Sequence, residues 1–79
     1  MDIKKMKALF QSHDVPDWIY AIDELGGGEI PGIAKDSEGW YTYYSERGKR
    51  RSIVRHESEN DACLALIDSV KKYPNVNFK

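Results

Sequence analysis

Cysteine is nearly absent: Cys63 stands alone in a chain of 79 residues. A lone thiol closes no internal disulfide, so a covalent scaffold cannot stand in for a packed core. Histidine is scarce as well, and His13 and His56 are too far apart to give the paired-ligand spacing of structural zinc. Long apolar runs are missing. No window approaches the roughly 18 consecutive apolar residues of a membrane-spanning helix, and Met1-Asp2-Ile3-Lys4-Lys5 leads into no signal-peptide pattern. The expectation is a cytoplasmic protein with no membrane partner. Net charge is small, −1 from 12 basic and 13 acidic side chains, which argues against nucleic acid as a partner. The length leaves no room for a second domain, so residues 1–79 read as one small unit that buries only about 60% of its unfolded surface.

What the chain does contain is 41% apolar and 11% aromatic residues, enough for a folded unit. Its charge is unevenly spread. Residues 14–38 hold seven acids (Asp14, Asp17, Asp23, Glu24, Glu29, Asp36, Glu38) against Lys35 alone, and residues 47–56 hold Arg47, Lys49, Arg50, Arg51 and Arg55 with no acid. Such segments are either neighbours that cancel or separate faces that another molecule can sense.

Periodicity predicts a first helix over Asp2–Ser12, with Ile3, Met6, Lys7 and Phe10 on one stripe and Leu9 beside it. Val15-Pro16 ends it. Between Asp17 and Glu57 the pattern becomes short β-rich runs split by glycine and proline, as in an antiparallel meander. Trp18–Ile22 is the first expected strand, with a helix over 16–25 as its alternative. Glu29–Lys35 is placed at a sheet edge, because Pro31 lacks a ladder amide. Asp36–Gly39 is a turn, and Trp40–Tyr44 is the strongest strand pattern in the chain. Ser45–Lys49 connects a hairpin in which Gly48 is free to take positive φ. The return strand runs from Arg50 or Arg51 to His56. Ser58 then caps a second helix that extends to about Lys72, with Ala62, Cys63, Leu66, Ile67 and Val70 on its apolar stripe. The fold class is α+β: an antiparallel sheet of three or four strands, with an N-terminal and a C-terminal helix packed on it.

No catalytic constellation emerges. Neither histidine lies in a motif with a nucleophile, and Cys63 on an apolar stripe reads as a small buried hydrophobe. Gly26-Gly27-Gly28 lacks the lysine and hydroxyl of a phosphate loop. The chain is therefore read as a non-enzyme without cofactor or metal. Along the aromatic strand, alternation puts Trp40, Thr42 and Tyr44 on one face and Tyr41, Tyr43 and Ser45 on the other, so one aromatic pair faces away from the core.

The string Gly39-Trp40-Tyr41-Thr42-Tyr43-Tyr44-Ser45-Glu46-Arg47-Gly48, followed by Ser58-Glu59-Asn60-Asp61-Ala62-Cys63, resembles small bacterial immunity proteins of polymorphic toxin systems, most closely the immunity protein 59 family. The resemblance covers about 25 positions. Where members of that family carry an aromatic before the Ser-Glu pair, this chain has Arg55-His56-Glu57. The resemblance implies a cytosolic, non-catalytic protein that binds and neutralises a cognate toxin. Candidate contact residues are Asp23, Glu24 and Glu29 of the acidic stretch, Trp40, Tyr41 and Tyr43 of the aromatic strand, and Glu46 and Arg47 of the hairpin. The acidic stretch is favoured over the basic hairpin, because its acids span loops while the arginines flank a strand where they can pack as structure. The expected state is a monomer or weak dimer. Two other readings remain open: a nucleic-acid module using the 47–55 hairpin, and a structural or regulatory dimer joined through the edge strand near Ile30.

Overall fold

Asp2 has extended backbone, and its carboxylate accepts a hydrogen bond from the Lys5 amide at 2.8 Å. That cap starts α1 at Ile3 and the helix runs to Ser12. The computed structural model describes residues 1–23 and 29–73. Met6 and Phe10 are buried in α1, whereas Lys7 is exposed. Asp14 adopts φ 56°, and the Asp14 and Val15 amides donate to the Gln11 and Phe10 carbonyls at 3.1 and 2.9 Å. The helix thus closes in a Schellman motif, one residue before Val15-Pro16 would have stopped it.

The next segment departs from the expected strand over Trp18–Ile22. Trp18 stands in a turn, 65% exposed, and the Ile19 amide donates to the Pro16 carbonyl. Neither that five-residue strand nor the alternative helix forms over the described part of 16–25. Only β1, Ala21–Ile22, joins the sheet. It runs parallel to β2 (Ile30–Asp36), with Ala21 opposite Gly32 and Ile22 opposite Ile33. The antiparallel meander is corrected on this point. Ile19 and Tyr20 are buried in the helix-side core, with the Tyr20 ring 4.6 Å from that of Phe10. Their burial decides the direction in which the chain reaches the sheet, and a strand pattern does not encode direction.

The edge placement of Glu29–Lys35 is also corrected. β2 lies between β1 and β3 (Gly39–Glu46), and β4 (Lys49–His56) completes the order β1-β2-β3-β4. Pro31 is tolerated there for a geometric reason. The Ile33 carbonyl accepts from the Asp23 amide on the β1 side, so Pro31, two residues earlier, turns its missing amide the same way. β1 begins only at Ala21, opposite Gly32, and does not reach Pro31. The β3 ladder is left intact.

β2 and β3 are joined by Ser37-Glu38, and the Asp36 carboxylate accepts from the Glu38 amide at 2.9 Å. β3 and β4 are joined by Arg47-Gly48, with φ of 51° and 75°. Positive φ at both positions is the type I′ geometry that matches strand twist in two-residue hairpins. Ser58 accepts from the Asp61 amide at 3.1 Å and begins α2 (Glu59–Lys71), which buries Ala62, Cys63, Leu66, Ile67 and Val70 as the stripe predicts. The helix start is further tied to α1, since Glu59 accepts from the Ile3 amide at 2.9 Å. α2 packs chiefly on β2 and β3, and α1 packs on α2, so both helices occupy one side of the sheet. Cα extents of 33 × 28 × 16 Å fit two layers. The fold is α+β with a mostly antiparallel sheet. No described helix is long and apolar enough to cross a membrane.

Candidate partner-binding face

The sheet has a second face, and no helix among the described residues covers it. Tyr41 and Tyr43 point there from β3, yet they are only 7% and 3% exposed. Two features bury them. Tyr43 lies across from Gly32 of β2, and a Cβ at Gly32 would overlap the Tyr43 ring, so the missing side chain lets the aromatic lie flat on the sheet. Two arginines from β4 then close over the rings. Arg50 sits 4.8 Å from the Tyr43 ring centre, and Arg55 sits 4.9 Å from that of Tyr41. Arg50 also donates to the Tyr41 hydroxyl. Ala21, Ala34 and Ile30 complete this small second core. Guanidinium planes suit the task because they stack on aromatic faces while their edges stay free for carboxylates.

Those edges are occupied by acids. Arg55 donates from both terminal nitrogens to the two Asp36 oxygens, at 2.7 and 2.6 Å, and lies 3.2 Å from Glu38. The Arg55 fork, aided by the Glu38 and Gly39 amides, holds the Asp36 carboxyl down at about 2. Arg50 lies 3.9 Å from Asp23. The acidic stretch and the basic hairpin are therefore neighbours that partly cancel. The segregated-charge picture, with an acidic face separate from the hairpin, does not describe this arrangement.

The candidate residues divide accordingly. Tyr41, Tyr43 and Asp23 meet on the helix-free face. Trp40 points to the helix side, half-buried against the main core, with the Lys35 ammonium 5.6 Å over its ring. Glu46 stands opposite Lys49 at the end of the hairpin, and Arg47 is exposed in the turn. Glu29 is exposed and offers its backbone carbonyl to the Tyr44 hydroxyl at 3.2 Å. Glu24 lies outside the described residues.

Sequence reasoning missed Arg50, Arg55 and Asp36 as members of this face. Counting back from the Arg47-Gly48 turn would have placed Val54, not Arg55, opposite Tyr41. The actual pairing is Tyr41 with Arg55, because a bulge adds one residue to β4 between the Tyr44–Arg51 and Thr42–Val54 pairs. Ser52, at φ 53°, sits within it. One extra residue reverses which side each β4 side chain faces. Val54 is turned to the helices and Arg55 to the tyrosines.

The remaining reactive groups have structural surroundings. His56 Nε2 lies 2.9 Å from the Thr42 hydroxyl across β3 and β4. Cys63 is fully buried, and burial pushes its thiol up to about 11. Among the described residues no group of three or more His, Cys, Asp or Glu side chains is placed to hold a metal ion.

Fold and face together define an α+β chain whose helices cover one side of the sheet while the other carries tyrosines under paired arginines. No protein-family model, curated protein or solved structure matches it.

Proposed function

We propose that this chain is a non-catalytic binding protein of the immunity type, acting in the cytoplasm, and that it holds a cognate protein toxin through the helix-free face of its sheet. The observation that carries the reading is the pair of arginines fixed over Tyr41 and Tyr43. Tyrosine and arginine are the residues that most often dominate protein interfaces. Here both arginines are already oriented by ring stacking and by Asp36, Glu38 and Asp23. Their rotamer entropy is spent in the free protein, so a partner recruits them at less than the usual cost of about 0.5–1.5 kcal/mol per ordered side chain. The resemblance around Gly39–Gly48 and Ser58–Cys63 supplies the class of partner.

The nucleic-acid reading has less support, because Arg50 and Arg55 already face carboxylates that a phosphate would have to displace. The test is affinity capture from the source cells with the wild-type chain and with a Tyr43→Ala, Arg55→Ala double variant, partners being identified by mass spectrometry. A toxin-domain protein held by wild type and lost by a variant that still folds is the expected result. Equal capture by both chains excludes the helix-free face. Capture of nucleic acid instead of protein rejects the function.

A further inference from the structure

A second surface lies on the helix side, beyond the reach of the helices. Because α2 packs chiefly on β2 and β3, the β4 margin of that side stays open. A groove of about 450 Å³ runs there, floored by Thr42, Tyr44 and Val54 and walled by Leu66 and Ser69 of α2's C-terminal half and by Tyr73 just beyond its end. Its floor reaches solvent, since Val54 is 53% exposed. Along the groove runs β4, the last strand in the sheet order, whose outer row of amides and carbonyls pairs with no strand among the described residues. An unpaired strand beside a helix-walled apolar groove is the geometry that accepts an extended peptide, with backbone bonds for affinity and alternate side chains in the groove for specificity.

Charge selects the kind of peptide. Pairing places Lys49 opposite Glu46 and Arg51 opposite Tyr44, so both cations share the groove side of β4 with Val54, while Arg50 and Arg55 face the other way. Lys72 lines the opposite wall. Its contact with Asp68 is a 3.9 Å pair between two largely exposed groups, which constrains it weakly. Arg51 is exposed and has no acid in contact among the described residues. A second copy of the chain fits poorly. Antiparallel pairing of β4 with itself about the bulge would set Arg50 against Arg55, and like charges directly opposite are destabilising.

We propose that β4 and the adjoining groove bind an extended, acidic segment of a partner protein, which adds as a fifth strand and seats an apolar side chain between Val54 and Tyr73. This surface is distinct from the helix-free face and stands without the immunity reading.

The probe is a fluorescein-labelled peptide of about seven residues alternating glutamate with leucine, run against a lysine–leucine counterpart and against a version with proline at its centre. Expected are saturable binding of the glutamate peptide, at least about fivefold weaker binding of the proline peptide, and about tenfold loss in Arg51→Glu and in Val54→Lys. Both substituted residues are exposed, and unchanged melting temperatures verify that the variants fold. Amide NMR shifts should fall on β4 and on residues 66–73. Equal binding of the lysine peptide, no binding of any peptide, shifts confined to Tyr41, Tyr43, Arg50 and Arg55, or a concentration-dependent dimer that Arg51→Glu strengthens would each overturn the proposal. Loss of peptide binding with toxin capture intact overturns this proposal alone, and loss of toxin capture with peptide binding intact overturns the immunity reading alone, so the two failures are told apart.

Discussion

Arg47 holds a backbone conformation that suits it badly. In the hairpin turn both central residues have positive φ, 51° at Arg47 and 75° at Gly48, and only the glycine does so without steric cost. Asparagine at the first of these positions is the common natural solution. Arg47→Asn is therefore expected to raise stability by about 0.5–1 kcal/mol, and Gly48→Val to lower it by about 1–2 kcal/mol. Urea melts of the two variants check both signs. If Arg47→Asn gives no gain, the local strain is being relieved elsewhere. If it also weakens partner capture, Arg47 is kept for contact at the expense of the turn. The same reasoning applies to Ser52, at φ 53° within the bulge.

Between elements, the Asp36–Arg55 pair ties the β2–β3 turn to β4. Its carboxyl titrates at about 2 in the folded chain, against an ordinary value of 3.8. A depressed folded pKa contributes stability that is fully present above the unfolded value. That contribution is lost as pH falls through the folded one. The window is thus from about pH 4 down to about pH 2. Asp36→Asn should be less stable than wild type at neutral pH, and the difference should shrink across that window, as melts at closely spaced pH values would show. A constant difference would mean that the effect of the substitution does not come from the charge of Asp36. The pair is solvent-exposed, so added salt should weaken it at neutral pH.

At the scale of the molecule, the near balance of 12 bases and 13 acids becomes a local balance. Arg50 meets Asp23, and Arg55 meets Asp36 and Glu38. Oligonucleotide binding should consequently be no tighter than about 10 µM at physiological salt, with little of the steep salt dependence that phosphate contacts produce. Fluorescence anisotropy with single- and double-stranded probes tests this. Salt-sensitive submicromolar binding would restore the nucleic-acid reading. An interface of ordinary size takes about 800 Å² from each partner. Against a total accessible surface of 5164 Å², that engages a substantial part of one sheet face. A chain of this size has room for both because the tyrosine face lies on the side away from the helices and the β4 groove lies where α2 leaves the sheet margin open.

The sequence by itself determined the two helices, the Ser58 cap and the buried stripe of α2, because helix period and capping are local and each residue's role follows from its near neighbours. It also determined the β3–β4 hairpin and the alternation that sends Tyr41 and Tyr43 to one side and Trp40 to the other. The tertiary structure decided the rest. β1 is short and parallel because Ile19 and Tyr20 are buried against the helices. β2 is interior because β1 stops short of Pro31. The helix-free face carries arginines because one extra residue in β4 shifts the register, turning Val54 toward the apolar layer and Arg55 toward the tyrosines. No local pattern marks that residue, since Ser52 is an ordinary strand-compatible side chain. Its φ of 53° is set by which neighbours must be apolar and which wet, and that distinction exists only once the helices lie on the sheet.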